Sequence, residues 1–160
     1  MKQFASIAVL ISLLIAGIKA EAIEVGDQLA LGELRSVQGQ TYTESHWKQR
    51  HTVVQVWATW CSYCRKQNVH LEQLVQKVPA NQLNIITISI DKNPKLAKDY
   101  MSKHGYTFPA AMMTPELNQS LGKVKGIPIL LILDKNNKII HKEMGEMFEE
   151  DFADLKRFAK

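Results

Sequence analysis

Cysteine is the scarcest residue in this chain of 160: there are two, Cys61 and Cys64. The lack of a second pair argues against a structural zinc site, which needs about four ligands. Residue 65 is Arg, not His, so the Cys-x-x-Cys-His motif that attaches c-type haem is absent. The spacing also fails the Cys-x-x-x-Cys pattern of copper delivery. His46, His51, His70, His104 and His141 are scattered and read as surface or core residues, so no metal site is expected. Met101, Met112, Met113, Met144 and Met147 read as packing residues. Repeats, low-complexity segments and linkers are missing too, which leaves a single domain as the expectation for 160 residues.

Long hydrophobic runs are equally few. The longest, Phe4 to Ile18, spans 15 residues behind Lys2 and is followed by small residues, Ala20 and Ala22. It falls short of the roughly 20 residues that cross a bilayer comfortably and has the pattern of a secretory signal peptide. Residues 1–20 are therefore expected to be a signal peptide or an uncleaved membrane anchor, and residues 21–160 the domain it exports. No cysteine precedes residue 61, so a lipid anchor on a nearby cysteine is excluded. A marked charge of one sign is absent as well: without residues 1–20, 18 basic residues face 16 acidic ones. That balance gives no case for binding nucleic acid or anionic lipid.

What is present is concentrated around the two cysteines. A disulfide closing so short a loop stabilises little, because the effect grows with loop length. A chain this long also buries a core without staples. The pair therefore reads as functional. Val53, Val54, Val56 and Trp57 are β-branched or aromatic, as in a strand covered on both faces. From Cys64 the period becomes helical through Leu71, Leu74, Val75 and Val78, ending at Pro79. Cys61 thus falls in the first turn of a helix, where unpaired N–H groups favour an anion and ease ionisation of the thiol.

Upstream, residues 29–37 and 41–43 flank a Gln-Gly-Gln turn and predict a β-hairpin. Glu44 to Arg50 reads as one helical turn or a loop. Downstream, residues 83–90 form a second β-branched run, which predicts a right-handed parallel crossover. Pro94 opens a helix carrying Leu96, Ala97, Tyr100 and Met101 up to a Gly105 cap. Residues 107–113 read as irregular or as a short strand, and Thr114-Pro115 opens another short helix. Residues 129–133 and 138–144 pair as a hairpin. Phe148, Phe152, Leu155 and Phe158 are expected to be the buried face of a last helix.

Strand, Cys-x-x-Cys helix, strand, helix, Gly-Ile-Pro, hairpin and helix, in that order, resemble the thioredoxin fold over roughly residues 27–160. Trp57-Ala-Thr-Trp-Cys-Ser-Tyr-Cys-Arg65 resembles the Trp-Ala-x-Trp-Cys-x-x-Cys signature, and Gly126-Ile127-Pro128 matches the loop that carries a cis-proline in thioredoxins. The fold class is therefore α/β. The N-terminal hairpin, the helical insert at 94–104 and the export signal are similar to the TlpA-like branch, which includes the ResA and DsbE/CcmG reductases.

The resemblance implies a redox-active disulfide as the sole prosthetic device. Cys61, expected to be exposed, attacks a partner disulfide, and the more buried Cys64 resolves the mixed disulfide. It implies that Trp60 covers one side of the sulfur, whereas Trp57 is read equally well as core. It further implies that a cis Ile127–Pro128 bond lets the Ile127 backbone pair with an extended partner segment. The expected partners are protein thiols and disulfides, apocytochrome c among them, and a membrane electron donor of the DsbD type. The expected location is the bacterial periplasm.

The chain departs from this pattern at four points. Gln55 stands where thioredoxins carry a buried Asp and this branch often has Asn. Tyr63 replaces the usual Pro before the second cysteine, and Val69 replaces a kink-forming Pro, which predicts a straighter helix. Many members have an acid after the second strand; an ungapped comparison aligns it with Lys92 rather than its neighbour Asp91. Arg65 and Lys66 add positive charge near the dithiol or are simply solvated. The Ser62-Tyr63 dipeptide belongs to neither redox extreme, so oxidase or isomerase activity stays open beside reduction. A non-catalytic binding module is the remaining alternative.

Overall fold

A computed structural model describes residues 22–159. The expected signal or anchor, residues 1–20, lies outside them. Among the described residues no helix is long and apolar enough to cross a membrane.

The N-terminal hairpin is short: β1 (Leu34–Arg35) pairs antiparallel with β2 (Thr41–Tyr42). Most of the predicted first strand does other work. The Leu29 N–H bonds the Asn137 carbonyl, and Leu29 and Leu31 are buried in the core. A single turn, α1 (Glu44–Trp47), buries Trp47, whose Nε1 donates to the Gly32 carbonyl at 2.8 Å.

Next comes β3 (Thr52–Trp57), buried at every residue, followed by α2 (Ser62–Lys77) and β4 (Asn84–Ser89), which pairs parallel with β3. The helix α3 (Pro94–His104) has the expected ends: Asn93 accepts the Lys95 N–H, and Gly105 adopts φ 66°, a left-handed cap that glycine takes without a Cβ penalty. Residues 107–113 resolve into a strand, β5 (Ala110–Met112), parallel to β4. After α4 (Pro115–Leu121), the hairpin of β6 (Ile129–Leu133) and β7 (Ile139–Met144) completes a five-stranded sheet ordered β5-β4-β3-β6-β7. β3 and β6 are antiparallel. This is the expected thioredoxin-like arrangement, with its hairpin and inserted helix. The hairpin guards an edge: Ser36 bridges Ala111 and the Val37 N–H bonds the Ala110 carbonyl on β5.

The chain ends in α5 (Glu149–Asp154), which tightens to a 3-10 turn at Leu155–Phe158. Phe148 is a correction: it precedes the helix and is exposed, while Phe152 and Leu155 are buried. Its backbone N–H is held by the Asp151 carboxylate at 2.8 Å, so the first turn starts one residue later than the apolar spacing suggested. Leu96 is likewise exposed, and α3 buries only Ala97 and Met101 fully.

Alternation along the sheet separates two cores. Val54, Val56, Leu131 and Leu133 face one side, with Trp47, Leu117 and Leu121. Val53, Trp57, Leu130 and Ile132 face the other, with Leu71, Leu74, Phe152 and both cysteines. The dithiol therefore sits on the α2–α5 side, at the end of β3.

Candidate active site

The turn from β3 into α2 is fixed before the cysteines are reached. Asp91, just past β4, accepts from the Thr59 N–H at 3.1 Å, the Thr59 hydroxyl at 2.7 Å and the Ser89 hydroxyl at 2.7 Å. The Cys61 N–H then bonds the Ala58 carbonyl at 3.2 Å. This places Cys61 at the N-cap of α2, where its Sγ accepts the Cys64 N–H at 3.1 Å. A sulfur in that position satisfies one of the unpaired donors of the helix terminus and meets the positive end of its dipole.

Cys61 and Cys64 are joined as a disulfide with Cα atoms 5.2 Å apart. Cys64 is fully buried. Cys61 is 7% exposed, a correction to the expectation of an exposed nucleophile. The cause is a loop from far along the chain: the Ile127 carbonyl oxygen lies 3.7 Å from Cys61 Sγ. The Ile127–Pro128 peptide bond is cis, as the resemblance implied. Pro128 is anchored in turn, its carbonyl accepting the Gly145 N–H at 2.9 Å.

A chain of side-chain amides runs behind the disulfide. Gln55 Nε2 donates to Asn68 Oδ1 at 2.7 Å, and Gln67 Nε2 donates to Gln55 Oε1 at 2.9 Å. Gln67 Oε1 accepts the Met147 N–H at 2.8 Å, tying β3 and α2 to the loop before α5. All three amide side chains are buried, and none of them ionises. Farther along the same face, Tyr100 and Tyr106 have pKa values raised by burial, Tyr106 to about 12 with Tyr100 and Glu72 as further causes.

Over residues 24–158 the sequence matches the Redoxin family model. The chain belongs to the Redoxin family. Among curated relatives, it is 23% identical to the thiol-disulfide oxidoreductase ResA of Bacillus thuringiensis over 137 residues, 85% of this chain and 79% of that protein. It is 26% identical to the thioredoxin-like protein YneN of Bacillus subtilis over 136 residues, 83% of this chain and 79% of the relative. A thiol:disulfide interchange protein of Chlorobium tepidum superposes with a TM-score of 0.75 at 22% identity, covering 86% of this chain and 99% of that one. With its Cys61–Cys64 pair, this Redoxin protein is a redox enzyme, a thiol–disulfide oxidoreductase related to ResA.

The structure gathers only some of the residues singled out in the sequence. Cys61, Cys64, Ile127 and Pro128 meet at one point. Trp60 is 66% exposed and forms part of the wall of the adjoining cleft. Trp57 is core, its Nε1 donating to Thr87 Oγ1 at 3.0 Å. Tyr63 points outward, 56% exposed, with Lys66 Nζ 5.7 Å from its ring centre. Lys66 also pairs with Glu146 at 3.5 Å, and Arg65 is exposed. Of the two positions weighed for the acid of this branch, Asp91 is buried at the site, and position 92, a lysine here, is exposed. The α2 helix runs without a break from Ser62 to Lys77.

Sequence reasoning missed Gln67, Asn68, Thr59 and Ser89. The first two carried a signal: Cys64, Gln67, Asn68 and Leu71 follow the i, i+3, i+4, i+7 spacing of one helix face. Polar residues on an otherwise apolar stripe announce a buried network. Thr59 and Ser89 carried none, because their importance comes from Asp91, which approaches from another strand.

Proposed function

We propose that this Redoxin protein works as a reductase, opening disulfides of exported proteins outside the cytoplasm, with apocytochrome c among its substrates. The observation that carries the direction is the setting of Cys61 Sγ. Among the described residues its N–H donor is that of Cys64, and the Ile127 carbonyl oxygen faces it at 3.7 Å. A thiol tolerates a carbonyl neighbour and a thiolate does not. The nearest cations along the helix, Arg65 and Lys66, are exposed, and Lys66 is engaged by Glu146. Dithiols that act as strong oxidants do so because their reduced form is stabilised. Here the helix N-terminus favours the thiolate, but the facing carbonyl and the absence of an engaged cation among the described residues offset it, so the disulfide is the comfortable state and electrons tend to leave the dithiol.

The exchange balances in two steps. The Cys61 thiolate attacks one sulfur of the partner disulfide, forming a mixed disulfide and releasing the other partner sulfur as a thiolate, which takes up a proton. The Cys64 thiolate then attacks the Cys61 sulfur and expels the second partner thiol, leaving the Cys61–Cys64 disulfide. Two electrons have passed to the partner. Because this chain has no second cysteine pair, a membrane donor of the DsbD type returns them by the same exchange in reverse. Beyond the disulfide itself no cofactor takes part. Residues 1–20, as signal or anchor, deliver the domain to the periplasm or hold it at the inner membrane.

The deciding measurement is the equilibrium reduction potential against glutathione, with the pKa of Cys61 in the reduced protein. A value near that of thioredoxin, about −270 mV, is expected. A value of about −150 mV or above, near the range of isomerases and oxidants, overturns the reductase reading.

A further inference from the structure

We propose that the cleft beside Cys61 receives an extended partner segment carrying acidic side chains, so that the enzyme favours disulfides with negatively charged flanking sequence. This rests on the reductase reading and specifies its substrates. The cleft encloses about 650 Å³ between Trp60 and the 122–127 loop. Val56, Ile90, Met113 and Val124 supply apolar lining, suited to side chains of a bound segment.

The loop offers the backbone such a segment needs. Among the described residues, Lys125, Gly126 and Ile127 exchange no hydrogen bond with another backbone group. A Cβ placed on Gly126 would meet nothing within 4 Å, so the approach is open. Ile127 delivers the segment directly to Cys61. Pairing along such an edge gives affinity without sequence preference; preference comes from the side chains around it.

Those side chains are basic. Lys123 and Lys125 line the cleft, are exposed, and form no ion pair within 4.0 Å among the described residues. The one carboxylate in the cleft, Asp91, is 6% exposed and already accepts from Thr59 and Ser89. It does not answer the lysines. Nor is the basic rim a sample of a generally basic surface. On the other flank of the Ile127–Pro128 loop, reached through the Gly145 to Pro128 hydrogen bond, a hollow is lined by Glu143, Glu146, Asp151 and Asp154, with Arg157 as a full cation and His141 beside Glu143. The basic flank thus faces one in which acids outnumber bases, and an acidic segment is complementary to the flank that has the open backbone. Rim charges of this kind act mainly on the association rate and are screened by salt.

The test uses the full exported domain with Cys64→Ala, which stops the reaction at the mixed disulfide whichever way the wild type runs. Two symmetrical peptide disulfides, identical except for two Glu or two Lys beside the cysteine, are compared by the rate at which Cys61 is captured. The acidic peptide is expected to react ~10-fold faster at low ionic strength, with the ratio shrinking towards one as salt is raised to about 0.5 M. Adding Lys123→Glu and Lys125→Glu should invert the ratio. Equal rates for the two peptides at low salt, or a ratio unchanged by the lysine reversals, would overturn the charge selection and leave the redox chemistry standing. No mixed disulfide with either peptide, from folded protein with a titratable Cys61 thiol, would overturn the exchange reading itself.

Discussion

The two faces of β3 are built from neighbouring residues and do different things. Val54 and Val56 look into a core that is mainly apolar, with Leu131, Leu133, Ile86 and Ile88, its polar residues Thr52 and Asn84 paired with each other at one end. Val53, Gln55 and Trp57 look the other way, towards the disulfide, a chain of buried amides and the Glu72 carboxylate, which holds the Thr107 N–H at 2.7 Å. One face lowers the free energy of the fold by removing apolar area from water. The other accepts polar groups whose burial is costly unless they are paired, as Gln55, Gln67 and Asn68 Oδ1 are. The lesson is a division of labour within one strand: stability rests mainly on the Val54 face, while the Gln55 face positions the disulfide, and only at its end does the first face, through Val56, also line the cleft beside Cys61.

That contrast can be broken with single substitutions. The largest effect is expected from Cys61→Ser, which removes the nucleophile and should cut disulfide exchange at least ~10³-fold. Compared with reduced wild type, its thermal midpoint should barely move, since no buried contact other than the sulfur is lost. Leu131→Ala strikes the opposite face: a cost of about 2–5 kcal/mol is expected by urea titration, with the reduction potential unchanged. A shift in that potential of more than about 30 mV, worth about 1.4 kcal/mol, would show that the two faces are coupled. Gln55→Leu should do both things in moderation. It leaves Gln67 Nε2 and Asn68 Oδ1 without the partners seen here, a cost of about 1–3 kcal/mol, and it alters the surroundings of Cys64, so both urea midpoint and potential should move.

The apolar face was also the more legible in the sequence. A run such as residues 52–57 declares a strand by composition, and the change to helical spacing after Cys64 declares α2. The left-handed cap at Gly105 and the cis bond before Pro128 were likewise foreseeable, the first from backbone chemistry and the second from resemblance. The site was legible in its sulfurs and less so in their setting. Cys61 is covered by a carbonyl 66 residues away, a contact no local pattern encodes. Asp91 rather than Lys92 faces inward because the chain beyond Ser89 turns the carboxylate back onto the Ser89 and Thr59 hydroxyls, which an ungapped comparison cannot anticipate. Phe148 looked like core by spacing and became a helix boundary because Asp151 holds its backbone N–H.

The smallest expected effect is on pH dependence: the acid limb falls to His46, and the alkaline limb to Tyr106 most of all, with Tyr100 beside it and Tyr42 on the His46 side also raised by burial. His46, packed edge-on against Tyr42 and Trp47 on the apolar side, has its pKa lowered first by burial and then by Arg50. The unfolded chain therefore takes up this proton before the folded one does, so the stabilisation is complete above about 6.5 and is lost as pH falls through that value and below the folded pKa. Tyr106, on the dithiol side, behaves in the opposite sense. Its phenol is held neutral by burial, with a pKa raised to about 12, so the stabilisation is complete below the unfolded value of about 10 and is lost as pH rises from there towards about 12. Urea midpoints measured across both limbs should show His46→Gln flattening only the acid limb and Tyr106→Phe only the alkaline one. If either variant flattened the limb assigned to the other residue, the assignment of the two limbs to His46 and Tyr106 would be overturned.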